Sequence, residues 1–113
     1  MRKIVIDMQN YLFADAVATA FKSSDYDIEV IRAESPRDTV ELCQIYEPFV
    51  LVMEVTGYAP WKLGERLRLR DEVKALCPNC KIALMVDSNT ERQTAKDIRD
   101  AKKDGLIDQF FYG

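Results

Sequence analysis

Short apolar runs rich in β-branched residues alternate along the whole chain with segments whose apolar residues recur at helical spacing, and this alternation limits the fold more than any single motif. Ile4-Val5-Ile6 reads as a buried first strand. Beyond Asn10, at an N-cap position, Leu12, Phe13, Ala16, Val17, Ala20 and Phe21 mark a helix that Ser23-Ser24-Asp25 ends. Tyr26 to Ile31 reads as a second strand. Ser35-Pro36-Arg37-Asp38 opens a helix with a capping serine, a proline in the first position and an acid near the positive pole. That helix runs through Val40, Cys43 and Tyr46 to Pro48. Phe49-Val50-Leu51-Val52-Met53 is continuously apolar, as a strand covered on both faces must be.

A loop at Gly57-Tyr58-Ala59-Pro60 leads into a charged helix with Leu63, Leu67, Val73 and Leu76 turned inward. Lys81 to Val86 reads as a fourth strand. Ser88-Asn89-Thr90-Glu91 has capping-box spacing, and Ala95, Ile98 and Ala101 form a narrow apolar stripe on a polar helix. Gly105 stands where a helix C-terminal glycine belongs, and Leu106 to Tyr112 reads as a fifth strand. Regular strand–helix alternation implies parallel strands joined by right-handed crossovers, hence an α/β doubly wound sheet with helices on both faces. In such sheets the functional crevice lies at the carboxyl ends of the strands.

At 113 residues the chain is one domain long, and 48% hydrophobic with 31% charged residues is enough apolar material for one core. The net charge of −3 is spread in interspersed signs, so nothing predicts a basic stripe for nucleic acid. No apolar run approaches the roughly 18 residues of a membrane span, and the run after Arg2-Lys3 is too short for a signal peptide. Three cysteines, an odd count, agree with a reducing compartment, and cytoplasmic residence is expected.

Several chemistries lack their residues. The chain has no histidine, which removes Ser-His and Cys-His nucleophilic catalysis. Cys77-Pro78-Asn79-Cys80 is a C-x-x-C, but it follows a helix and precedes a strand, the wrong pole for lowering a thiol pKa. Three cysteines without histidine do not make a structural zinc site. No glycine-rich phosphate loop occurs, and Met8-Gln9-Asn10-Tyr11 offers no nest for a phosphate. The dense charges from Glu65 to Lys74 and from Glu91 to Asp104 read as solvated helix faces. Tyr58 and Trp61, on the loop after Glu54, either border the crevice or cover the edge of the core.

From Arg2 to Tyr112 the order and lengths of these elements resemble the response-regulator receiver (CheY-like) family. Glu47-Pro48-Phe49-Val50-Leu51-Val52-Met53-Glu54-Val55 looks like its third strand, Cys77 to Met85 like the start of its fourth, and Ala101-Lys102-Lys103-Asp104-Gly105 like the turn before its last. The resemblance implies a flavodoxin-like five-stranded parallel sheet in the order 2-1-3-4-5. It also implies a phosphoryl-accepting carboxylate, an acidic pair holding magnesium, a hydroxyl and a lysine. Here the acidic pair falls on Met8 and Gln9, with Asp7 one residue early. The acceptor position is Glu54, the hydroxyl position is Val86 with Ser88 displaced by two, the aromatic switch position is Gln109, and the lysine position is Tyr112.

This departure at every chemical position predicts a degenerate, non-catalytic receiver-like module with no metal and no cofactor, acting by protein–protein contact in signal transduction or transcriptional control. The alternative is a working phospho-accepting receiver with an atypical, magnesium-dependent site at Glu54 or Asp7. A third reading is a small-ligand domain using Asp7, Glu54 and Asp87. Glu54 itself reads either as a solvated strand-end carboxylate or as a mimic of a phosphorylated side chain. Receivers close with a helix after their fifth strand, whereas this chain stops at Tyr112-Gly113. The expectation is either a truncated N-terminal part of a longer regulator or an uncovered sheet face filled by self-association or a protein partner.

Overall fold

In the computed structural model, which describes residues 2–24, 27–86 and 90–112, strands and helices alternate as the apolar pattern requires. The order is β1 (Arg2–Asp7), α1 (Tyr11–Ser24), β2 (Ile28–Arg32), α2 (Pro36–Tyr46), β3 (Val50–Val55), α3 (Leu63–Leu76), β4 (Lys81–Val86), α4 (Arg92–Lys103) and β5 (Gln109–Tyr112). All pairings are parallel, and the sheet order is β2-β1-β3-β4-β5. Among the described residues no helix follows β5.

The two faces of the sheet bury separate clusters. Val5, Leu51, Met53, Val55, Ile82, Leu84 and Val86 pack under α2, α3 and α4 through Cys43, Val73, Ile98 and Ala101. Ile4, Ile6, Val52 and Ala83 pack on the other face, with Ala14 of α1. Strand residues therefore alternate between two apolar environments, the physical reason for unbroken apolar runs in a two-sided sheet.

Helix ends obey the local chemistry of the chain. Asn10 Oδ1 accepts from the Phe13 N–H at 3.0 Å, and Ser35 Oγ accepts from the Arg37 N–H at 3.1 Å with Pro36 in the first turn. Glu47, at φ 47°, ends α2. Gly105, at φ 79°, ends α4, where the Leu106 N–H donates to the Ala101 carbonyl at 2.9 Å.

The boundaries differ from the sequence reading in instructive places. β5 begins at Gln109 rather than Leu106: Ile107 is buried ahead of the strand, and the Asp108 carboxylate accepts from the Ile82 N–H of β4 at 2.8 Å. β3 extends to Val55, which places Glu54 inside the strand. Leu76, read as inward, is 49% exposed, and Leu12 is 84% exposed. Glu91 takes the N-cap of α4 without a side-chain bond, while Ser88 and Asn89 of the expected capping box lie outside the described residues, as do Asp87, Asp25 and Tyr26.

Candidate functional site at the sheet rim

β1 and β3 end side by side, with Asp7 in register with Met53, so one carboxylate from each strand reaches the carboxyl rim. The pleat sends them to opposite faces. Asp7 shares its face with Val5 and points under α2 and α3, whereas Glu54 shares the α1 face with Val52.

Asp7 is buried, and so are both of its partners. The Thr39 hydroxyl donates to Asp7 Oδ2 at 2.6 Å, and the Arg66 guanidinium donates to the same oxygen at 2.8 Å and to Oδ1 at 3.2 Å. Arg66 also donates to the Asp7 carbonyl at 3.1 Å, and its Nε donates to the Glu54 carbonyl at 2.7 Å. One planar cation thus ties α3 to the ends of β1 and β3, satisfying groups that would otherwise be buried and unpaired. The reading of the charges from Glu65 to Lys74 as solvated helix faces is corrected at one residue: Arg66 is 1% exposed.

Glu54 does not simply face solvent. Its Oε1 accepts from the backbone N–H groups of Gln9 and Asn10 at 2.7 and 3.2 Å. These amides open α1, so the carboxylate sits at the positive pole of that helix. The extra methylene of glutamate relative to aspartate supplies the reach across from β3.

The remaining sequence candidates scatter. Met8 is buried in the α1-side cluster and Val86 in the opposite one. Gln9 is exposed and, with Asn10 and Glu54, lines a cleft of about 950 Å³ whose other walls are Tyr58, Lys62, Glu91, Thr94 and Asp97. Asp7 instead borders a smaller hollow of about 340 Å³ near Ser35 and Trp61. Tyr112 pairs with Val86 at the rim, is 54% exposed and meets Phe110 edge-on with ring centroids 5.8 Å apart. Gln109 lies three residues back along β5, opposite Ala83, where its Oε1 accepts from Lys102 at 3.0 Å. The aromatic loop is pinned by Thr56 N–H to the Trp61 carbonyl and Trp61 N–H to the Tyr58 carbonyl, both 2.9 Å, which leaves Tyr58 75% exposed beside the cleft.

The magnesium site that the resemblance implies does not fit these residues. Asp7 is committed to a guanidinium, Met8 and Gln9 carry no charge, and a hard divalent cation needs several oxygen ligands. Among the described residues no group of three or more histidine, cysteine, aspartate or glutamate side chains is arranged to hold a metal.

The cysteines gather away from the rim. The Cys77 thiol donates to the Cys43 carbonyl at 3.2 Å, and Cys77 is the C-cap of α3. Burial pushes the Cys43 thiol up to about 12 and the Cys80 thiol up to about 11, and it raises Cys77 as well. Raised thiols stay protonated at neutral pH, and Cys43 and Cys80 are buried besides.

No protein-family model matches the chain, and no curated protein matches it significantly. Solved structures do. A response regulator from Thermotoga maritima superposes with a TM-score of 0.77 at 13% identity over 99% of this chain and 84% of that one. The REC domain of AraT, a response regulator from Geobacillus stearothermophilus, gives 0.74 at 16% identity over 98% and 80%. A response regulator from Burkholderia pseudomallei with a phosphorylated aspartic acid and a calcium ion gives 0.72 at 17% over 99% of this chain, which spans 59% of that protein. The chain has the receiver (CheY-like) fold, with the strand order 2-1-3-4-5 expected of it.

Proposed function

We propose that this chain is a receiver-fold signalling module of the cytoplasm that works by protein–protein contact and takes no part in phosphoryl transfer. One observation carries the reading: the two strand-end carboxylates are already engaged by the protein itself, Asp7 by Arg66 and Thr39, and Glu54 by the Gln9 and Asn10 amides. Phosphoryl transfer to a carboxylate needs a free nucleophile and cations placed on the transferring oxygens. Val86, at the hydroxyl position, carries no hydroxyl, and Tyr112, at the lysine position, carries no cation.

In this reading Glu54 stands permanently where a switchable charge would act. Its carboxylate holds the β1–α1 loop in one arrangement, so the rim presents a single surface to a partner. Pinned Tyr58, beside the cleft, is the aromatic best placed to anchor such a contact.

The competing reading, a phospho-accepting site centred on Glu54, is favoured by one feature: Glu54 Oε2 has no partner among the described residues and Glu54 lines the cleft. Incubation with a small phosphodonor and Mg²⁺, followed by intact mass, separates the two. The proposal expects an unmodified chain, and a stoichiometric phosphoryl adduct overturns it.

A further inference from the structure

We infer that α4 is the docking face for an acidic helix of a partner protein, which it holds along a single line of four cations. The inference rests on the reading of the chain as a contact module and names the chemistry of its partner. α4 carries five bases and two acids, a net +3 in 12 residues. The whole chain is −3, so the other 101 residues together carry −6. Positive charge is gathered on one element of an acidic protein.

Signs that alternate along the sequence are sorted by the helical turn. Ile98 and Ala101 are buried against the sheet, which fixes the rotation of α4. At 3.6 residues per turn Arg92, Lys96, Arg99 and Lys103 then fall in one line on the outer side, about 16 Å long. All four are exposed. Asp97, Asp100 and the C-cap Asp104 fall along one flank of that line, with Asp97 beside the rim cleft.

As intrachain chemistry the line is unfavourable. Its neighbours are three or four residues apart, the spacings at which like charges destabilise a helix. Arg92 stands in the first turn, where the positive pole of the helix disfavours a cation. Asp100 has pairing spacing to both Lys96 and Lys103. Yet among the described residues none of the four side chains makes a hydrogen bond or an ion pair. Anions supplied from outside relieve all of these repulsions together.

The pattern says which anion. The line is one residue wide, with acids along its flank and an acidic protein behind it. Duplex nucleic acid or an anionic membrane extends past α4 and meets repulsion there. A helix laid along α4 with carboxylates at the same four-three-four spacing sets one acid against each cation. An extended segment repeats its side every ~6.6 Å and falls out of step after two cations. Exposed charge of this kind steers and orients a partner, and salt screens it.

Fluorescence anisotropy on the full chain tests this with two labelled helical peptides of one composition. One carries glutamates at the four-three-four spacing, and the other carries the same glutamates spread around the helix. Lys96→Glu with Arg99→Glu reverses the line. Lys22→Glu with Arg37→Glu makes the same change of net charge at exposed positions elsewhere, and circular dichroism of each variant controls for folding. The expected result is salt-sensitive binding of the matched peptide, at least ~10-fold tighter than the spread one. The first pair weakens it at least ~10-fold, and the second leaves it within about twofold. No binding, equal affinity for the two peptides, or equal loss in both double variants overturns the inference. So does tighter binding to duplex DNA or to mixed phosphatidylcholine–phosphatidylserine vesicles than to the matched peptide. The phosphodonor experiment reads the rim alone, so either proposal can fail without the other.

Discussion

Arg66 of α3 and Asp7 of β1, 59 positions apart, form a fully buried ion pair with the nearer N–O distance at 2.8 Å. The pair fastens the rim to the helix layer beneath it. It also removes from solvent the acid one residue before the position where the receiver resemblance would place the acidic pair.

Breaking that pair from one side leaves a buried charge without its partner. Arg66→Met should cost roughly 3–5 kcal/mol of unfolding free energy, and Asp7→Asn a smaller amount because the amide oxygen still accepts from Arg66. Replacing both, as Asp7→Leu with Arg66→Met, should recover much of the loss. Urea unfolding of the three variants gives the coupling directly, and additive losses would show that the pair is not acting as a unit.

Glu54→Asp restores the residue type that receivers use as acceptor, yet it should weaken this protein. The shorter side chain cannot hold both the Gln9 and Asn10 amides, so a loss of about 1 kcal/mol is expected, comparable with removal of a helix cap. In amide NMR the Gln9 and Asn10 resonances should shift most. Unchanged stability and unchanged shifts would mean that the carboxylate does not hold the loop.

The thiols give a pH prediction. Cys43 and Cys80 are raised in the folded protein, to about 12 and about 11, above the usual thiol value of 9.0. The folded chain therefore keeps protons that the unfolded chain loses, and stability falls as pH rises from about 9 toward 12. Below 9 both states hold these protons, and these groups impose no pH dependence. At pH 8 Cys43 and Cys80 should resist iodoacetamide in the native protein and react on unfolding. Fast native labelling at either would contradict their burial.

The elements were legible because their signals are local. Ile4 to Ile6, Val50 to Met53 and Ile82 to Val86 announce strands buried on both sides, and Ser35-Pro36 and Gly105 punctuate helices by backbone chemistry. The rim was legible as a set of positions but not as a network. Asp7 was visible as an acid ending a buried strand. Its partner was hidden, because Arg66 sits among Glu65, Arg68, Arg70 and Asp71, where charge reads as solvation. A usable signal existed: Arg66 lies three residues after Leu63 and seven before Val73, on the stripe that turns inward. Gln109 was legible as a position on the fifth strand, but its surroundings were not: it lies opposite Ala83 and accepts from Lys102.

The acids at the ends of β1 and β3 are spoken for within the protein. Mn²⁺ titration followed by paramagnetic broadening of backbone amides reports on it most directly, because Mn²⁺ seeks the same oxygen ligands as Mg²⁺. No selective broadening is expected at Gln9, Asn10, Glu54 or Thr56 through millimolar Mn²⁺. Saturable broadening centred on those amides, with Asp7 released from Arg66, would contradict it.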